Sequence, residues 1–388
     1  MVYEKERKIR IIHVINNLST GGAEKMLLNL VSCANRNMYD ISIFSLQDKG
    51  ELSIEIEKLG IPIFHFNIFK KRDFVFKFLK LILVFIKSKP DIVQTWLYQS
   101  NIIGGVAAKI ATNSKIIWSI HATILKPGLT KDSTRFIIKL SRILSALIPD
   151  RIICCSTSSY DAHKTIGFKT NKMLVIPNGI NLDEFNMINN ARFNLISKLK
   201  IDEEVKLIGM VGRYHPMKRH DIFFHAAKII SDKYASVHFI LCGNNIDNSN
   251  QKLIELINSF NLNSNSNIHL LGHTYDMHNL YSSLDILTIT SSYGEAFPLS
   301  ICEAMACKIP VIATEVGDSS YIVNDKEMIV PINEPMLLAE KWKKIIFLDK
   351  KSRKKIGEKN RVRIEQLFSI KNVAKLYMEH YLQLLNNS

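Results

Sequence analysis

The 388-residue sequence contains no apolar run long enough to cross a bilayer, because a spanning helix needs about 20 mainly apolar residues. Its opening MVYEKERKIR carries acidic side chains and no cleavage site, which is not the pattern of a secretory signal. A cytoplasmic chain is the expectation. Cysteine is scarce, no Cys-x-x-Cys pair occurs, and Cys154 and Cys155 are adjacent in an apolar run. This argues against a disulfide framework and against metal ligation, and predicts buried thiols. The dinucleotide fingerprint Gly-x-Gly-x-x-Gly is missing. Aromatic residues are not interleaved with basic ones in any nucleic-acid module, so nucleic acid is not an expected partner.

What is present describes a folded chain of ordinary composition, 47% hydrophobic and 22% charged. The length suits two domains, each able to bury a core. Short β-branched runs predict strands over residues 9–16, 40–46, 62–67, 91–96, 115–121, 151–156 and 173–176. A second series covers 205–212, 237–243, 267–272, 285–290 and 309–314. Helical patterns fill the gaps, and two helices over 337–348 and 372–385 close the chain. Such alternation implies α/β domains with parallel sheets covered by helices on both faces. Polar residues 186–200 read as a linker.

Charge is large and uneven. The formal net charge is +15, with 26 Lys and Arg against 15 Asp and Glu in residues 1–190, a net of +11. A basic half predicts an anionic partner, and an acidic membrane surface is the better fit. The segment 69–90, FKKRDFVFKFLKLILVFIKSKP, is helical in period and studded with Lys71, Arg72, Lys77, Lys80, Lys87 and Lys89. It reads either as a helix packed on its sheet or as one with a flank in the membrane interface.

Several loops follow predicted strands, where α/β sheets bind ligands. In SSYGEAFPLSICEAMACKIPVIAT, residues 291–314, Glu295 falls in a loop and Glu303 about a turn and a half into the next helix. Pro298 marks the helix start, and Gly317 and Asp318 end the loop after the following strand. A helix N-terminus favours an anion. Two carboxylates around it suit a ligand with hydroxyls on both sides of a phosphate, as in a nucleotide-sugar. Two solvated glutamates on an ordinary βα unit would have the same spacing. Gly21 and Gly22 form a turn between the first strand and its helix, where backbone can approach a ligand. His121 ends a strand. Arg213 and Lys218 follow Gly212 in a loop before a helix, a pair able to clamp a diphosphate. The stretch 126–135 reads as a mobile loop.

These motifs resemble those of the retaining glycosyltransferases of family 4, which have the two-domain GT-B fold. Glu295, Phe297, Pro298, Glu303, Ala304, Met305, Ala306, Pro310 and Val311 match its Glu-x7-Glu signature. Ala296 and Lys308 stand where glycine is usual, and Lys308 sits where a left-handed glycine normally ends the helix. Gly21-Gly22-Ala23-Glu24, PNGINLDEF with Asn181 in place of Asp, and Gly212-Arg213 with Lys218 also match. The PNG turn is read as structural. The resemblance implies two Rossmann-like domains facing a cleft. They would cover residues 1–187, with a C-terminal helix 371–388 returning to them, and residues 200–370.

The resemblance further implies a nucleotide-sugar donor, UDP-linked rather than GDP-linked, held mainly by the second domain. Glu303 would bind ribose, Glu295 the hexose, Arg213 and Lys218 the diphosphate, and His121 the hexose near the reacting carbon. Gly21, Gly22, Gly212, His273, Thr274, Phe297, Pro298 and Leu299 would complete the donor site. No two aspartates are two residues apart, so the metal-binding Asp-x-Asp of other glycosyltransferases is missing and no divalent metal is expected. No enzyme nucleophile stands out, and the family's favoured route is a same-face displacement. The acceptor would be a glycan or polyprenyl-linked glycan met at an anionic inner membrane surface, as in bacterial surface-polysaccharide assembly. A GT-B epimerase or phosphorylase, or a catalytically silent nucleotide-sugar-binding subunit, remains the alternative.

Overall fold

The computed structural model describes residues 7–69, 73–123, 132–262 and 267–386. Lys71, Arg72 and residues 126–131 of the expected loop lie outside this set, and 132–135 open a helix, Asp132–Leu144. The chain divides into two compact units, Met1–Gly179 with Ile370–Ser388, and Ile180–Ser369.

Among the described residues, unit 1 contains β1 (Ile9–Ile15), β2 (Tyr39–Ser45), β3 (Ile63–His65), β4 (Ile92–Trp96), β5 (Lys115–Ile120), β6 (Arg151–Cys154) and β7 (Met173–Val175). They form one parallel sheet in the order β3-β2-β1-β4-β5-β6-β7. Successive strand residues face opposite sides, so β1 sends Ile11 and Ile15 into one core and Ile12 and Val14 into another. The first core is closed by helices Gly22–Ser32, Ser53–Lys58 and Ile370–Asn386, the second by Phe74–Ser88 and Tyr98–Ala111. The C-terminal helix belongs to unit 1 because Tyr377 and Tyr381 are fully buried there. Tyr377 stacks on Trp96, and the Tyr381 hydroxyl donates to Gln94 Oε1.

Unit 2 contains β8 (Lys206–Val211), β9 (Val237–Cys242), β10 (Ile268–Leu270), β11 (Ile286–Ile289), β12 (Val311–Thr314) and β13 (Ile329–Val330). Its parallel order is β10-β9-β8-β11-β12-β13. Trp342 anchors the helix layer: its indole N–H donates to Thr288 Oγ1 at 2.8 Å in a dry core beside Phe223. Residues 180–199 also belong here. The polar stretch that reads as a linker contains helix Ala191–Leu199, tied down where Arg192 Nη1 donates to the Ser283 carbonyl and to Asp285 at 3.1 and 3.0 Å.

Neither β13 nor helix Lys350–Leu367 was legible in the sequence. β13 is two residues long, and helix Lys350–Leu367 buries only Gly357, Asn360 and Ile364 of its eighteen residues, too thin a stripe to register as periodic. That helix explains Lys308. Lys308 takes the left-handed conformation at φ 61° and keeps the tight turn that glycine usually makes. Its N–H bonds Met305 O and the next N–H bonds Ala304 O, both at 3.0 Å, which is a Schellman cap. A left-handed lysine costs about 1 kcal/mol; the turn is held by Asn360 donating to Ile309 O, and Gly357 lies where a Cβ would strike the Lys308 carbonyl.

Candidate active site

In unit 2 the order of strands reverses between β8 and β11. These two strands pair directly, Leu287 opposite Gly209, although some 80 residues separate them. Loops leaving neighbouring strands at such a switch point diverge and open a crevice at the carboxyl edge of the sheet. The loop after β8 carries Arg213 and Lys218, and the loop after β11 carries Glu295.

The two loops are knitted together. Thr290 Oγ1 donates to the Lys218 carbonyl at 2.6 Å, and the Ser292 N–H donates to the Met217 carbonyl at 2.9 Å. Lys218 Nζ lies 2.6 Å from Glu295 Oε1, which also accepts from Ser291 Oγ at 2.8 Å. Their side chains are 15% and 12% exposed, so the pair is nearly dry. Burial pushes the Glu295 pKa up, but Lys218, Ser291 and the charge of Arg213 outweigh it and hold the carboxyl below its ordinary range. Arg213 itself is exposed, and its side chain makes no ion pair or hydrogen bond among the described residues. An exposed guanidinium of this kind is free to form charge-assisted hydrogen bonds with an anionic oxygen.

The lowered pKa sets a pH dependence. A carboxyl depressed in the folded state contributes stability that is present above its unfolded value and lost as pH falls through the folded value. Glu295→Gln is therefore expected to lower Tm at pH 7 but converge with the native protein below the ordinary 4.5 of a glutamate. Parallel Tm curves between pH 7 and 3 would contradict this.

Glycines let the sheet edge come this close. Gly212 sits at φ 154°, and a Cβ there would stand 3.0 Å from Lys218 Cε. A Cβ on Gly243 would collide with the Gly212 carbonyl, and one on Gly317, at φ 59°, with the Glu295 carbonyl. The Asp318 N–H bonds Ala296 O at 3.1 Å, so the Gly317 turn is the floor under the Glu295 loop. Ala296 is buried, as are Phe297 and Pro298. Helix Leu299–Ala306 starts one residue later than Pro298, which is its N-cap, and no side chain caps it. Glu303, 7% exposed, accepts from the Tyr281 hydroxyl at 2.7 Å. Burial, reinforced by Glu303, raises the Tyr281 pKa well above 10, so the phenol keeps its proton and donates. Tyr281 escaped the sequence reading because its helix, Met277–Ser283, carries no motif. His273 and Thr274 lie beyond β10 at the sheet's edge. The His273 ring is edge-on to Tyr275, and the Thr274 hydroxyl accepts from the Asp276 N–H.

Unit 1 has its own switch point, between β1 and β4. Gly21 caps helix Gly22–Ser32 with extended backbone, and Glu24 folds its carboxylate back over it, where a Gly21 Cβ would strike Oε2. Burial raises the Glu24 pKa, partly countered by its own backbone N–H. A protein carboxylate therefore already occupies the helix end where the sequence reading placed a ligand's phosphate. Leu97 follows β4 at φ 72° and ψ 158°, a strained conformation for a residue with a side chain. Next to it, Asn16 bridges Gln99 and Ser100 at 3.0 and 2.6 Å.

His121 follows β5 and stacks on Trp96 with centroids 5.0 Å apart. Both ring nitrogens are buried, and among the described residues their polar neighbour is the Asn178 side chain, which does not reach full hydrogen-bond geometry. Burial lowers its pKa to about 4, the adjacent Asn178 side chain pulling the other way, so the ring is neutral at pH 7. Asn178 is 4% exposed. The Pro177-Asn178-Gly179 turn sets the Asn178 side chain beside His121.

Comparison with known proteins agrees with this anatomy. The model of "Glycosyltransferase Family 4" matches residues 20–184, and that of "Glycosyl transferases group 1" matches residues 191–363. The capsular polysaccharide biosynthesis glycosyltransferase CapM of Staphylococcus aureus is 30% identical over 75% of this chain and 76% of its own. UDP-Gal:alpha-D-GlcNAc-diphosphoundecaprenol alpha-1,3-galactosyltransferase of Escherichia coli is 24% identical over 82% of each chain. The crystal structure of Anabaena Alr3699/HepE with UDP and glucose superposes with a TM-score of 0.83 at 20% identity, covering 97% of this chain and 100% of that one. Two family models tile nearly the whole sequence, and a relative matches three quarters of it. The chain belongs to the group 1, family 4 glycosyltransferases and has their GT-B fold.

Proposed function

We propose that this glycosyltransferase moves a hexosyl or N-acetylhexosaminyl group from a UDP-sugar to a glycan or polyprenyl-linked glycan, with retention of configuration and without a divalent metal. The observation that carries the reading is the crevice of unit 2, where a buried Lys218–Glu295 pair stands beside the unpaired Arg213. When the donor binds, Lys218 exchanges its carboxylate for a diphosphate oxygen and Arg213 takes a second. The negative charge that develops on the leaving UDP then meets two fixed cations. Glu295, released from Lys218 and ionised, accepts hydrogen bonds from hexose hydroxyls. Glu303, already a hydrogen-bond acceptor, takes ribose hydroxyls. Unit 1 offers His121 as a neutral ring, one nitrogen donating and one accepting, suited to a hydroxyl rather than a phosphate.

The UDP preference rests on the E. coli relative and on HepE, whose names carry UDP-Gal and UDP. The acceptor class rests on the diphosphoundecaprenol named for that relative and the capsular polysaccharide named for CapM. A lipid-linked acceptor places the enzyme on the cytoplasmic face of the cell membrane, at an anionic surface. An intact cation pair and Glu295 argue against a silent binding subunit.

Metal independence has a direct test. Among the described residues no group of three or more His, Cys, Asp or Glu is placed to hold a metal ion. Release of UDP from UDP-sugars is expected to proceed at the full rate in excess chelator. Loss of turnover that magnesium or manganese restores would overturn this part of the proposal. Retention is tested by the anomeric configuration of the product, where an inverted linkage would overturn it.

A further inference from the structure

The two glutamates of the candidate site are held in different ways. Glu295 is held by a cation, with Lys218 Nζ at 2.6 Å. Glu303 is held by a neutral group, the Tyr281 hydroxyl, which donates to Oε2 at 2.7 Å. The difference decides what each carboxylate does when a nucleotide arrives. A diphosphate competes with Glu295 for Lys218, so that pair has to be traded. A neutral phenol attracts a diphosphate far less than an ammonium does, so the Tyr281–Glu303 bond can persist. Glu303 then keeps one partner and one orientation before and after the donor binds.

Tyr281 is placed to keep that bond. It is fully buried, and a buried hydroxyl is costly unless it is paired. Burial, with the charge of Glu303, keeps the phenol protonated and therefore a donor. Its helix, Met277–Ser283, packs on helix Leu299–Ala306, which carries Glu303, and on helix Ala191–Leu199. The end of the tyrosine's helix is pinned as well. The Ile188 N–H donates to Ser282 Oγ at 3.1 Å, Ser282 Oγ donates to the Asn186 carbonyl at 3.3 Å, and Arg192 Nη1 donates to the Ser283 carbonyl at 3.1 Å. The Phe185 ring lies tilted against the Tyr281 ring, centroids 6.2 Å apart. The polar segment 186–192 thus fixes the helix that fixes the tyrosine.

A glutamate has three side-chain torsions, and the last is broad. Ordering a loose carboxylate at the moment of binding would cost affinity. Tyr281 orders it beforehand: it commits Oε2 to the core and leaves Oε1 for a ligand. Being neutral, it does not cancel the carboxylate charge, so Oε1 stays a strong acceptor for hydroxyls.

We propose that Tyr281 is a positioning residue for the nucleotide: it orients the Glu303 carboxylate for ribose hydroxyls and so selects ribonucleotide donors over nucleotides that lack those hydroxyls. This rests on the proposed reading of Glu303 as the ribose acceptor and names the group that acts behind it. In a UDP-sugar the ribose lies beyond the diphosphate from the bond that is transferred. Tyr281 therefore supports bound donor and transition state alike, and such uniform binding shows in KM rather than in kcat.

The test measures the Kd of UDP and of 2′,3′-dideoxy-UDP by calorimetry. The samples are the full native chain, Tyr281→Phe, Glu303→Ala and the double variant, each checked for folding by its Tm. Native protein is expected to prefer UDP by about 10–100-fold, the worth of hydrogen bonds to a charged group. Tyr281→Phe should weaken UDP about tenfold and leave the dideoxy nucleotide unchanged. KM for the UDP-sugar should rise by the same factor, with kcat within about threefold of native. In the Glu303→Ala background, Tyr281→Phe should cost no further UDP affinity, because the tyrosine acts through the glutamate alone. That comparison carries the test by itself if Tyr281→Phe alone does not fold, since the double variant strands no polar group; a further loss there would overturn the inference. Tyr281→Phe that keeps the native preference, weakens both nucleotides alike, or lowers kcat at constant KM would also overturn it, while loss of the preference in Glu303→Ala would leave the ribose reading standing. Native protein that binds the two nucleotides alike or binds neither, or Glu303→Ala that keeps the preference, would overturn the donor-site reading and this inference with it.

Discussion

Lys218→Ala is expected to lower turnover by about 10²–10³-fold, the cost of removing one fixed donor from a developing negative charge. Arg213→Ala is expected to do the same by the same route, but the two variants should part company in stability. Arg213 is exposed and unpaired, so its loss leaves the fold untouched. Lys218 is the partner of a nearly dry carboxylate, and removing it strands Glu295. Breaking a fully buried pair costs about 3–5 kcal/mol, and the residual exposure of both groups puts this one at or below that range. Adding Glu295→Gln to Lys218→Ala removes the stranded charge and should restore Tm without restoring turnover. Donor hydrolysis and thermal melts on the four proteins decide the matter. Near-normal turnover in folded Lys218→Ala and Arg213→Ala would remove the clamp from the mechanism.

Gly317→Ala is expected to be strongly damaging to unit 2 and to its site. The position has φ 59°, which alone costs a non-glycine residue about 1 kcal/mol. The added carbon would also fall on the backbone oxygen of Glu295, well inside contact, and close to that of Ala296. Backbone cannot swing aside as a side-chain end can, so either the Gly317 turn or the Glu295 loop must move. The combined cost is expected to reach about 3 kcal/mol, in the range of severe single substitutions. Displacing the Glu295 loop also breaks the 2.6 Å approach to Lys218. Activity should therefore fall further than the folded fraction at the assay temperature. Gly60→Ala is the control, since it also has positive φ, 72°, but nothing stands within 4 Å of its Cβ. If Gly317→Ala melts no lower than Gly60→Ala, the support assigned to this turn is wrong.

The positions of Arg213, Lys218 and Glu295 were legible in the sequence because each sits a fixed few positions after an apolar strand. Gly212, Arg213 and Lys218 follow VKLIGMV, and Glu295 follows DILTIT. Period and punctuation are local, and they place a residue at a strand's end without knowing its neighbours. The alternation of strands and helices likewise called for parallel sheets, and both sheets are parallel.

Only the tertiary structure could decide which strand lies beside which, because strand order is set by long-range burial and not by adjacency in the chain. The pairing of β8 with β11 brought Lys218 to Glu295. The same kind of long-range packing put Tyr281 against Glu303 and Asn178 beside His121. It brought Gly357 against the backbone of Lys308, which holds a glycine's conformation. Helix Phe74–Ser88 marks the limit most clearly. Its composition announced an apolar, basic helix, but which side chains pack and which face solvent depended on how few of them the sheet had room to cover.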